Sequence, residues 1–245
     1  MPGASAALPA ANSNRESRDS MAGQIIIING TSGSGKSTAC ELFARRSSDF
    51  WFLYGIDHFM GSTLPRKYGH HGEFSREGIH AHPWHEHDPD GPLRWSFGPW
   101  GARAFGVFHE WIAAASREGC NIVLDHLLMT DPPVLQDCIW RLDGLPVLFV
   151  TLKPPYEVLM ARIANREIGN RFANSSYSSE QVQKSRERLA RLRPWFYDAV
   201  YANDIADLEI DTDLHSPEQV CDLVEQHLAA GPGTAFARLR ERYPR

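Results

Sequence analysis

A loop of glycine, serine and one lysine carries the clearest chemistry in this chain of 245 residues. Residues 30–38 read GTSGSGKST and fit the pattern G-x-x-x-x-G-K-[ST]. Such a loop turns several backbone N–H groups inward around phosphate, and the helix that follows adds the positive end of its dipole. We therefore predict a nucleotide-phosphate cradle made by Gly30, Thr31, Ser32, Gly33, Ser34, Gly35, Lys36, Ser37 and Thr38.

Two residues of this loop and one distant aspartate have predicted roles at the phosphates. Lys36 is expected to place its ammonium between the β- and γ-phosphates of ATP or GTP, and Ser37 to ligate Mg²⁺. Asp125 ends the apolar run CNIVLD (120–125), the form of a Walker B carboxylate, and is expected to act at the Mg²⁺ ion by holding one of its waters or else to contact the substrate. A capping or salt-bridged aspartate at a strand end is the alternative for Asp125.

Asp57 ends another apolar run, FWFLYGID (50–57). In a loose phosphoryl-transfer transition state a carboxylate mainly orients the attacking hydroxyl and accepts its proton late, so it need not be a strong base. The alternative is a helix N-cap, which the following DHFMGSTLP would allow. We predict that Asp57 is the catalytic carboxylate on the acceptor side.

Arginines are concentrated in one later segment. Residues 153–193 contain nine Lys or Arg and four Glu, a local charge of +5 in a chain whose net charge is −5. Within MARIANREIGNR (160–171), Arg166 and Arg171 are predicted to lie on a lid and to stabilise charge on the transferring phosphoryl group. A solvated basic helix face is the alternative.

Histidine and tryptophan dominate the segment 61–97. HAHPWHEHDPDGP (80–92) is dense in histidine, yet Mg²⁺ chemistry needs no histidine and no cysteine lies nearby, so we predict a metal-free loop rather than a Zn²⁺ site. A loop that lines an acceptor pocket with apolar walls is the favoured interpretation. The predicted acceptor contacts are His58, Trp84, Trp95, Trp100 and His126.

Short apolar runs alternate with helical patterns along the chain, which indicates an α/β fold with a parallel sheet covered on both faces. IIII (25–28) has no alternation, as expected for a strand buried on both sides, and residues 98–119 place apolar side chains at helical spacing. In such sheets ligands bind at the carboxyl ends of the strands. Asp57 and Asp125 both stand at such ends.

Composition bounds the remaining possibilities. Net charge −5 and a pI near 6.1 argue against nucleic acid or an anionic membrane as partner, and no apolar run is long enough to span a bilayer. Four scattered cysteines without a C-x-x-C pair indicate reduced thiols and a cytoplasmic protein. A homo-oligomer is left open.

The predicted organisation is a single kinase domain with two excursions. Residues 1–22 are expected to be a disordered leader, with Met1 and Met21 both able to start translation. The domain spans 23–230, with an acceptor-side insertion at 61–97 and a lid with its following helix at 162–195. Residues 231–245 are expected to form a basic C-terminal tail.

The chain resembles the chloramphenicol phosphotransferase-like family of P-loop kinases. The similar stretches run in order from about residue 24 to 229 and include IIIINGTSGSGKST, WFLYGIDHFM, the IVLDHLL that ends at residue 128, and LEIDTD. The resemblance implies a P-loop kinase fold with a five-stranded parallel sheet, to which the residue patterns above add helices on both faces and an Arg-bearing lid. It also implies Asp57 as catalytic base and an antibiotic hydroxyl as acceptor. Residues 61–97 and 172–205 depart from the family pattern.

The predicted function is therefore transfer of the γ-phosphoryl group of ATP or GTP to a hydroxyl of a small molecule, an antibiotic being the acceptor that the resemblance favours. A metabolic kinase for a sugar acid, nucleoside or nucleotide is the second candidate. A regulatory GTPase is the third, but the N-K-x-D motif that would read the guanine base is absent from the sequence.

Overall fold

A computed structural model describes residues 22–70, 72–165 and 179–245. Five strands form one parallel sheet, and two more form a separate antiparallel hairpin. The sheet contains β1 (Ile25–Asn29), β2 (Trp51–Gly55), β5 (Asn121–His126), β6 (Val147–Leu152) and β7 (Leu208–Ile210), in the spatial order β2-β5-β1-β6-β7. The predicted α/β fold with a five-stranded parallel sheet is confirmed.

The strand β1 lies at the centre of the sheet because its side chains are apolar on both faces. Ile25, Ile26, Ile27 and Ile28 are each at most 2% exposed, and the strand pairs with β5 on one side and with β6 on the other. Burial of four isoleucines contributes several kcal/mol at about 2 kcal/mol for each side chain. This strand therefore fixes the start of the phosphate loop in the middle of the molecule.

Helices cover both faces of the sheet, as the sequence predicts. One face packs against α1 (Lys36–Arg46) and α7 (Pro217–Ala229). The opposite face packs against α2 (Ile56–Thr63), α3 (Pro99–Arg117), α4 (Val134–Arg141) and α8 (Ala235–Arg242). Two further helices, α5 (Tyr156–Asn165) and α6 (Ser179–Tyr201), flank the segment 166–178.

The C-terminal residues 231–245 differ from the predicted basic tail. They contain α8, whose Ala235, Phe236 and Leu239 are buried in the core, and the ring of Phe236 contacts that of Phe149 on β6. The spacing of the three buried residues places them on one helical face, while Arg238, Glu241 and Arg242 of the same helix are exposed. The segment is thus part of the domain.

The insertion 61–97 contains the antiparallel hairpin. Its strands are β3 (Ile79–Pro83) and β4 (Leu93–Phe97), and a short 3-10 helix (Arg66–Tyr68) precedes them. The described part of the insertion therefore forms a hairpin beside the parallel sheet.

The hairpin is attached to α6. The ring of Trp95 packs against that of Phe196 of α6, with the ring centroids 4.6 Å apart. Arg188 and Arg191 of the same helix donate hydrogen bonds of 2.9 Å and 2.8 Å to carbonyl oxygens of the insertion, those of Ala81 and Gly91. The hairpin and α6 are therefore joined on the side of the molecule that the sequence assigns to the acceptor.

Two predicted features lie outside the described residues: the leader up to residue 21 and the lid arginines Arg166 and Arg171. None of the helices in the described part of the chain combines the length and hydrophobicity that a bilayer span requires.

Candidate active site

The phosphate loop follows β1 directly, and its glycines have backbone conformations that other residues rarely adopt. Gly30 has φ +153°, and a β-carbon there would lie 2.7 Å from the carbonyl oxygen of Leu152. Gly35 has φ +94° and immediately precedes α1. Glycine is needed at both positions for the loop to turn from strand to helix. The loop therefore opens at the N-terminus of α1, where the helix dipole favours an anion.

Lys36 and Ser37 are the first two residues of α1. The ammonium of Lys36 bends back over the loop and donates a hydrogen bond of 2.9 Å to the carbonyl oxygen of Thr31. Ser37 Oγ donates a hydrogen bond of 2.6 Å to Oδ2 of Asp125. The two residues predicted to bind the metal are thus in contact although 88 positions separate them.

The chemistry of this pair fits Mg²⁺. The ion prefers oxygen ligands and keeps several waters, so one hydroxyl and one carboxylate beside a phosphate site are a sufficient protein contribution. Asp125 belongs to the centre of the sheet, since it pairs with Ile28 in the β1–β5 register. Ser37 and Asp125 are the residues that would hold Mg²⁺ here.

Asp57 is the second residue of α2, and its side chain is exposed. The N-cap of this helix is Gly55, so the capping role considered for Asp57 is not the one observed. Gly55 pairs with Asp125 in the β2–β5 register. Asp57 therefore emerges from the strand end next to the one that carries Asp125, on the same edge as the phosphate loop.

Tyr201 contacts the phosphate loop, which sequence reasoning missed. Its hydroxyl accepts a hydrogen bond of 3.2 Å from the backbone N–H of Thr31 and donates one of 2.6 Å to the carbonyl oxygen of Leu152. Burial raises the pKa of this phenol, so it stays a donor. No local pattern could reveal a contact across 170 positions.

Thr212 is a second contact that was missed, although it lies in the LEIDTD stretch that carries the family resemblance. Its hydroxyl donates a hydrogen bond of 3.1 Å to the carbonyl oxygen of Ser34 in the loop. Arg162 of α5 donates hydrogen bonds of 2.8 Å and 2.7 Å to Oγ1 and the carbonyl oxygen of Thr212. The phosphate loop is therefore fixed from two sides, by α6 and by the segment after β7.

The residues predicted to contact the acceptor lie at several places. His58 is exposed on α2. Trp95 packs on α6, the ring of Trp84 stacks on that of His85 at 5.0 Å, and Trp100 is 48% exposed. Among the described residues no ring contact joins these three tryptophans to one another.

His126 differs from its predicted acceptor role. The imidazole is completely buried, and its Nε2 lies 3.0 Å from Nε2 of His109 on α3. A side chain that points from β5 into the core offers nothing to an acceptor in this structure.

The histidines of the insertion stack on one another in pairs and do not gather around a common point as metal ligands would. His80 stacks on His82 at 5.6 Å, and His85 on His87 at 5.6 Å. In the ranges that the structure describes, no group of three or more His, Cys, Asp or Glu is arranged to hold a metal ion. The metal-free loop stays a prediction.

Residues 23–229 match the family described as chloramphenicol phosphotransferase-like protein. The chain belongs to this family. No curated protein matches the sequence significantly. The family and the P-loop kinase fold together support a nucleotide-dependent phosphotransferase that acts on a small molecule.

Solved structures show the same fold at low sequence identity. The APS kinase CysC of Mycobacterium tuberculosis, solved with AMPPNP and APS, aligns with a TM-score of 0.54 and 12% identity over 85% of this chain and 98% of its own. A structure described as APE1195 aligns with a TM-score of 0.52 and 13% identity over 86% of this chain and 96% of its own. These likenesses concern the fold alone.

Proposed function

We propose that this member of the family transfers the γ-phosphoryl group of ATP or GTP to a hydroxyl of a small molecule, with an antibiotic as the acceptor class. The observation that carries the proposal is the 2.6 Å contact between Ser37 and Asp125 beside a lysine-bearing phosphate loop. It pairs a metal-binding hydroxyl with a carboxylate at the carboxyl edge of the sheet. P-loop kinases need that pairing to bind a magnesium nucleotide.

Each residue of the site has one task in this proposal. Bound Mg²⁺ would neutralise charge on the β- and γ-phosphates. Lys36 swings from the Thr31 carbonyl to the phosphates, and the loop N–H groups hold their oxygens. Asp57 orients the acceptor hydroxyl from the adjacent strand end and takes its proton late, as the new P–O bond forms.

The acceptor would enter between α2 and the hairpin held by α6. Phe59 of α2 and Ala81 of the hairpin belong to one apolar cluster, and Trp84 and Trp95 pack against it. Partly buried tryptophans are therefore present on this side of the molecule, and their apolar rings would suit an acceptor with an apolar or aromatic body. This composition supports an antibiotic over a compact, highly charged metabolite.

A screen of hydroxylated antibiotics, nucleosides and sugar acids tests the proposal. Acceptor-stimulated release of nucleoside diphosphate and a product heavier by one phosphoryl group are the expected results. The Asp57→Asn variant is the control, since it keeps the nucleotide site. A protein that binds no magnesium nucleotide at all would refute the proposal, and stimulation by sugar acids or nucleosides alone would replace the antibiotic with a metabolite.

A further inference from the structure

A chain of hydrogen bonds crosses the core from α4 to the end of β5. Oδ2 of Asp137 lies 2.6 Å from Nδ1 of His109, and Nε2 of His109 lies 3.0 Å from Nε2 of His126. Nδ1 of His126 accepts a hydrogen bond of 2.8 Å from the backbone N–H of Leu127. Both imidazoles are completely buried. The chain therefore joins a carboxylate near the surface to the turn that follows Asp125.

The hydrogen bond from the backbone N–H of Leu127 determines which nitrogen of each imidazole carries the proton. The N–H of Leu127 can only donate, so Nδ1 of His126 carries no proton and the neutral ring is protonated at Nε2. That proton is donated to Nε2 of His109, whose own proton then sits on Nδ1 and is donated to Asp137. Each ring therefore holds one proton, and burial lowers the pKa of His109, which keeps that ring neutral.

The inner end of the chain lies at the candidate active site. His126 follows Asp125 directly and pairs with Asn29, the residue before the phosphate loop. Oδ1 of Asn29 accepts a hydrogen bond of 2.8 Å from the N–H of Leu128. The turn 126–128 is thus held by two acceptors, one from the strand that leads into the loop and one from the histidine chain.

The outer end is fixed by ionic groups on two helices. Arg141 donates hydrogen bonds of 2.8 Å and 2.9 Å to the carboxylate of Asp137 and one of 2.7 Å to Glu110. Burial alone would raise the pKa of Asp137, but the hydrogen bonds from His109 and Arg141 outweigh it and lower that pKa. Asp137 and Arg141 also line a surface cleft of about 610 Å³. The carboxylate therefore stays ionised and reaches water while its histidine partner does not.

Core stability alone does not require this arrangement. The ring centroids of Phe105 and Phe108 lie 6.3 Å and 5.4 Å from that of His126, so apolar side chains would suit the same space. Burying polar groups is unfavourable unless every partner is present, and apolar substitutes of the same volume are often as stable. Unlike apolar side chains, the hydrogen-bonded chain fixes the position of one backbone group, because Nδ1 of His126 accepts a hydrogen bond from the N–H of Leu127.

We propose that His126 and His109 are positioning residues of the phosphotransferase site. They hold the turn after β5 so that the carboxylate of Asp125 stays against Ser37, where the magnesium nucleotide binds. The inference rests on the proposed function. It adds to that function two side chains that contact neither nucleotide nor acceptor.

The experiment measures Mn²⁺ bound in the presence of ADP by electron paramagnetic resonance, with Mn²⁺ replacing Mg²⁺. His126→Phe keeps the ring volume and removes the acceptor for Leu127, and it should weaken Mn²⁺ binding about tenfold. His126→Asn places Oδ1 near the position of Nδ1, and it should retain most of the parental affinity. Phe108→Leu is the control, since it destabilises the same core and packs on the same rings but removes none of the hydrogen bonds of the chain.

A parental protein that binds no Mn²⁺–ADP would remove the proposed function and this inference with it. Parental binding together with equal affinity in His126→Phe would overturn the inference alone. Should His126→Phe fail to fold, His109→Phe replaces it in the test. This variant keeps Nδ1 of His126 as the acceptor for Leu127 but removes the hydrogen bond from Nε2 of His126 to His109 that orients the His126 ring. A Mn²⁺ affinity in His109→Phe no weaker than in Phe108→Leu would then overturn the inference.

Discussion

The carboxylate of Asp125 lies against Gly55, the last residue of the neighbouring strand β2. A β-carbon at Gly55 would come closer to Oδ1 of Asp125 than non-bonded carbon and oxygen atoms approach, while Oδ2 accepts the hydrogen bond from Ser37. Glycine at this position therefore decides where the carboxylate can sit. Gly55 is also the N-cap of α2, so one glycine positions both the carboxylate of Asp125 and the helix that carries Asp57.

Gly55→Ala should displace Asp125 from Ser37 and weaken Mg²⁺-dependent nucleotide binding about tenfold or more. The physical reason is the close approach of the two residues, which the new methyl group can relieve only by moving the carboxylate or the strand. Titration of the nucleotide with and without Mg²⁺ measures the effect.

The matched control is Gly61→Ala in the same helix, where an added β-carbon meets nothing within 4 Å. Alanine is the better helix former by about 1 kcal/mol, so this variant should bind nucleotide normally and melt no lower than the parent. If nucleotide binding depended equally on Mg²⁺ in both alanine variants, the close approach of Gly55 and Asp125 would not be needed for Mg²⁺-dependent nucleotide binding.

Lys36→Ala should remove most of the stabilisation that a magnesium nucleotide gives to the fold. A ligand at a hundred times its dissociation constant stabilises the native state by about 2.7 kcal/mol. The ammonium of Lys36 is expected to supply the positive charge that binds the nucleotide phosphates. Thermal unfolding with and without nucleotide measures this stabilisation. Lys184→Ala is the control, because that lysine is 72% exposed and pairs with Glu180 on the same helix. An equal nucleotide-dependent shift in both variants would count against the phosphate cradle.

Tyr201→Phe should loosen the phosphate loop. The change leaves the N–H of Thr31 and the carbonyl of Leu152 without this partner, and each lost hydrogen bond of this kind is worth about 1 kcal/mol. We expect a lower melting temperature and weaker nucleotide binding. Tyr197→Phe, one turn earlier on α6, is the control, and a Tyr201→Phe variant that matches it in both measurements would contradict the role given to this hydroxyl.

The sequence is informative where chemistry and local pattern coincide. The loop 30–38, the strand IIII and the strand-end carboxylates can each be recognised by composition and spacing, and the structure brings Ser37 and Asp125 into contact. Tyr201 and the His109–His126 pair could not be found in this way. Their roles depend on which helix packs on which strand, and a tyrosine or histidine within a helix or at a strand end looks the same in the sequence whether it faces solvent, the core or a loop.

The segment after residue 230 is a second feature that composition alone predicts wrongly. Its charge suggests a solvated tail, but Ala235, Phe236 and Leu239 fill a face of the core beside β6. Composition averaged over a short segment hides an amphipathic helix, because the average does not record which face carries the charge.

The stability of the fold should depend on pH through the buried His109. Burial lowers its pKa below the ordinary value, although Asp137 opposes the shift. Between the folded and the unfolded pKa the unfolded chain binds more protons, so the contribution is full above about pH 6.5 and is lost as the pH falls below it. Arg141, Glu110 and His126 are the other titratable groups that face this ring.

Denaturant unfolding from about pH 8 to about pH 5.5 measures this dependence. The parent should lose stability toward acid, and His109→Phe should show a flatter profile. His87→Gln, at an exposed histidine of the insertion, is the control and should keep the parental slope. Parallel curves for the parent and His109→Phe would mean that the buried histidine takes up no proton on unfolding.

Asp57→Asn is the substitution that tests the proposed chemistry most directly. The variant keeps the shape of the side chain and much of its hydrogen bonding but removes the proton acceptor. General-base contributions are about 10²–10⁴-fold, which corresponds to about 3–5 kcal/mol of barrier. We expect kcat to fall by that factor once an acceptor is known, with nucleotide affinity unchanged, because Asp57 follows β2 and not the phosphate loop.

The structure also removes the main competing explanation for a loss of activity in this variant. Gly55, not Asp57, is the N-cap of α2, so asparagine at position 57 should not unfold the helix. Asp49→Asn, another exposed aspartate near β2, is the matched control and should be neutral. Melting temperature, nucleotide affinity and kcat are measured on one preparation of each protein. A folded, nucleotide-binding Asp57→Asn enzyme with parental kcat would exclude Asp57 from proton transfer and leave Asp125 as the carboxylate to examine next.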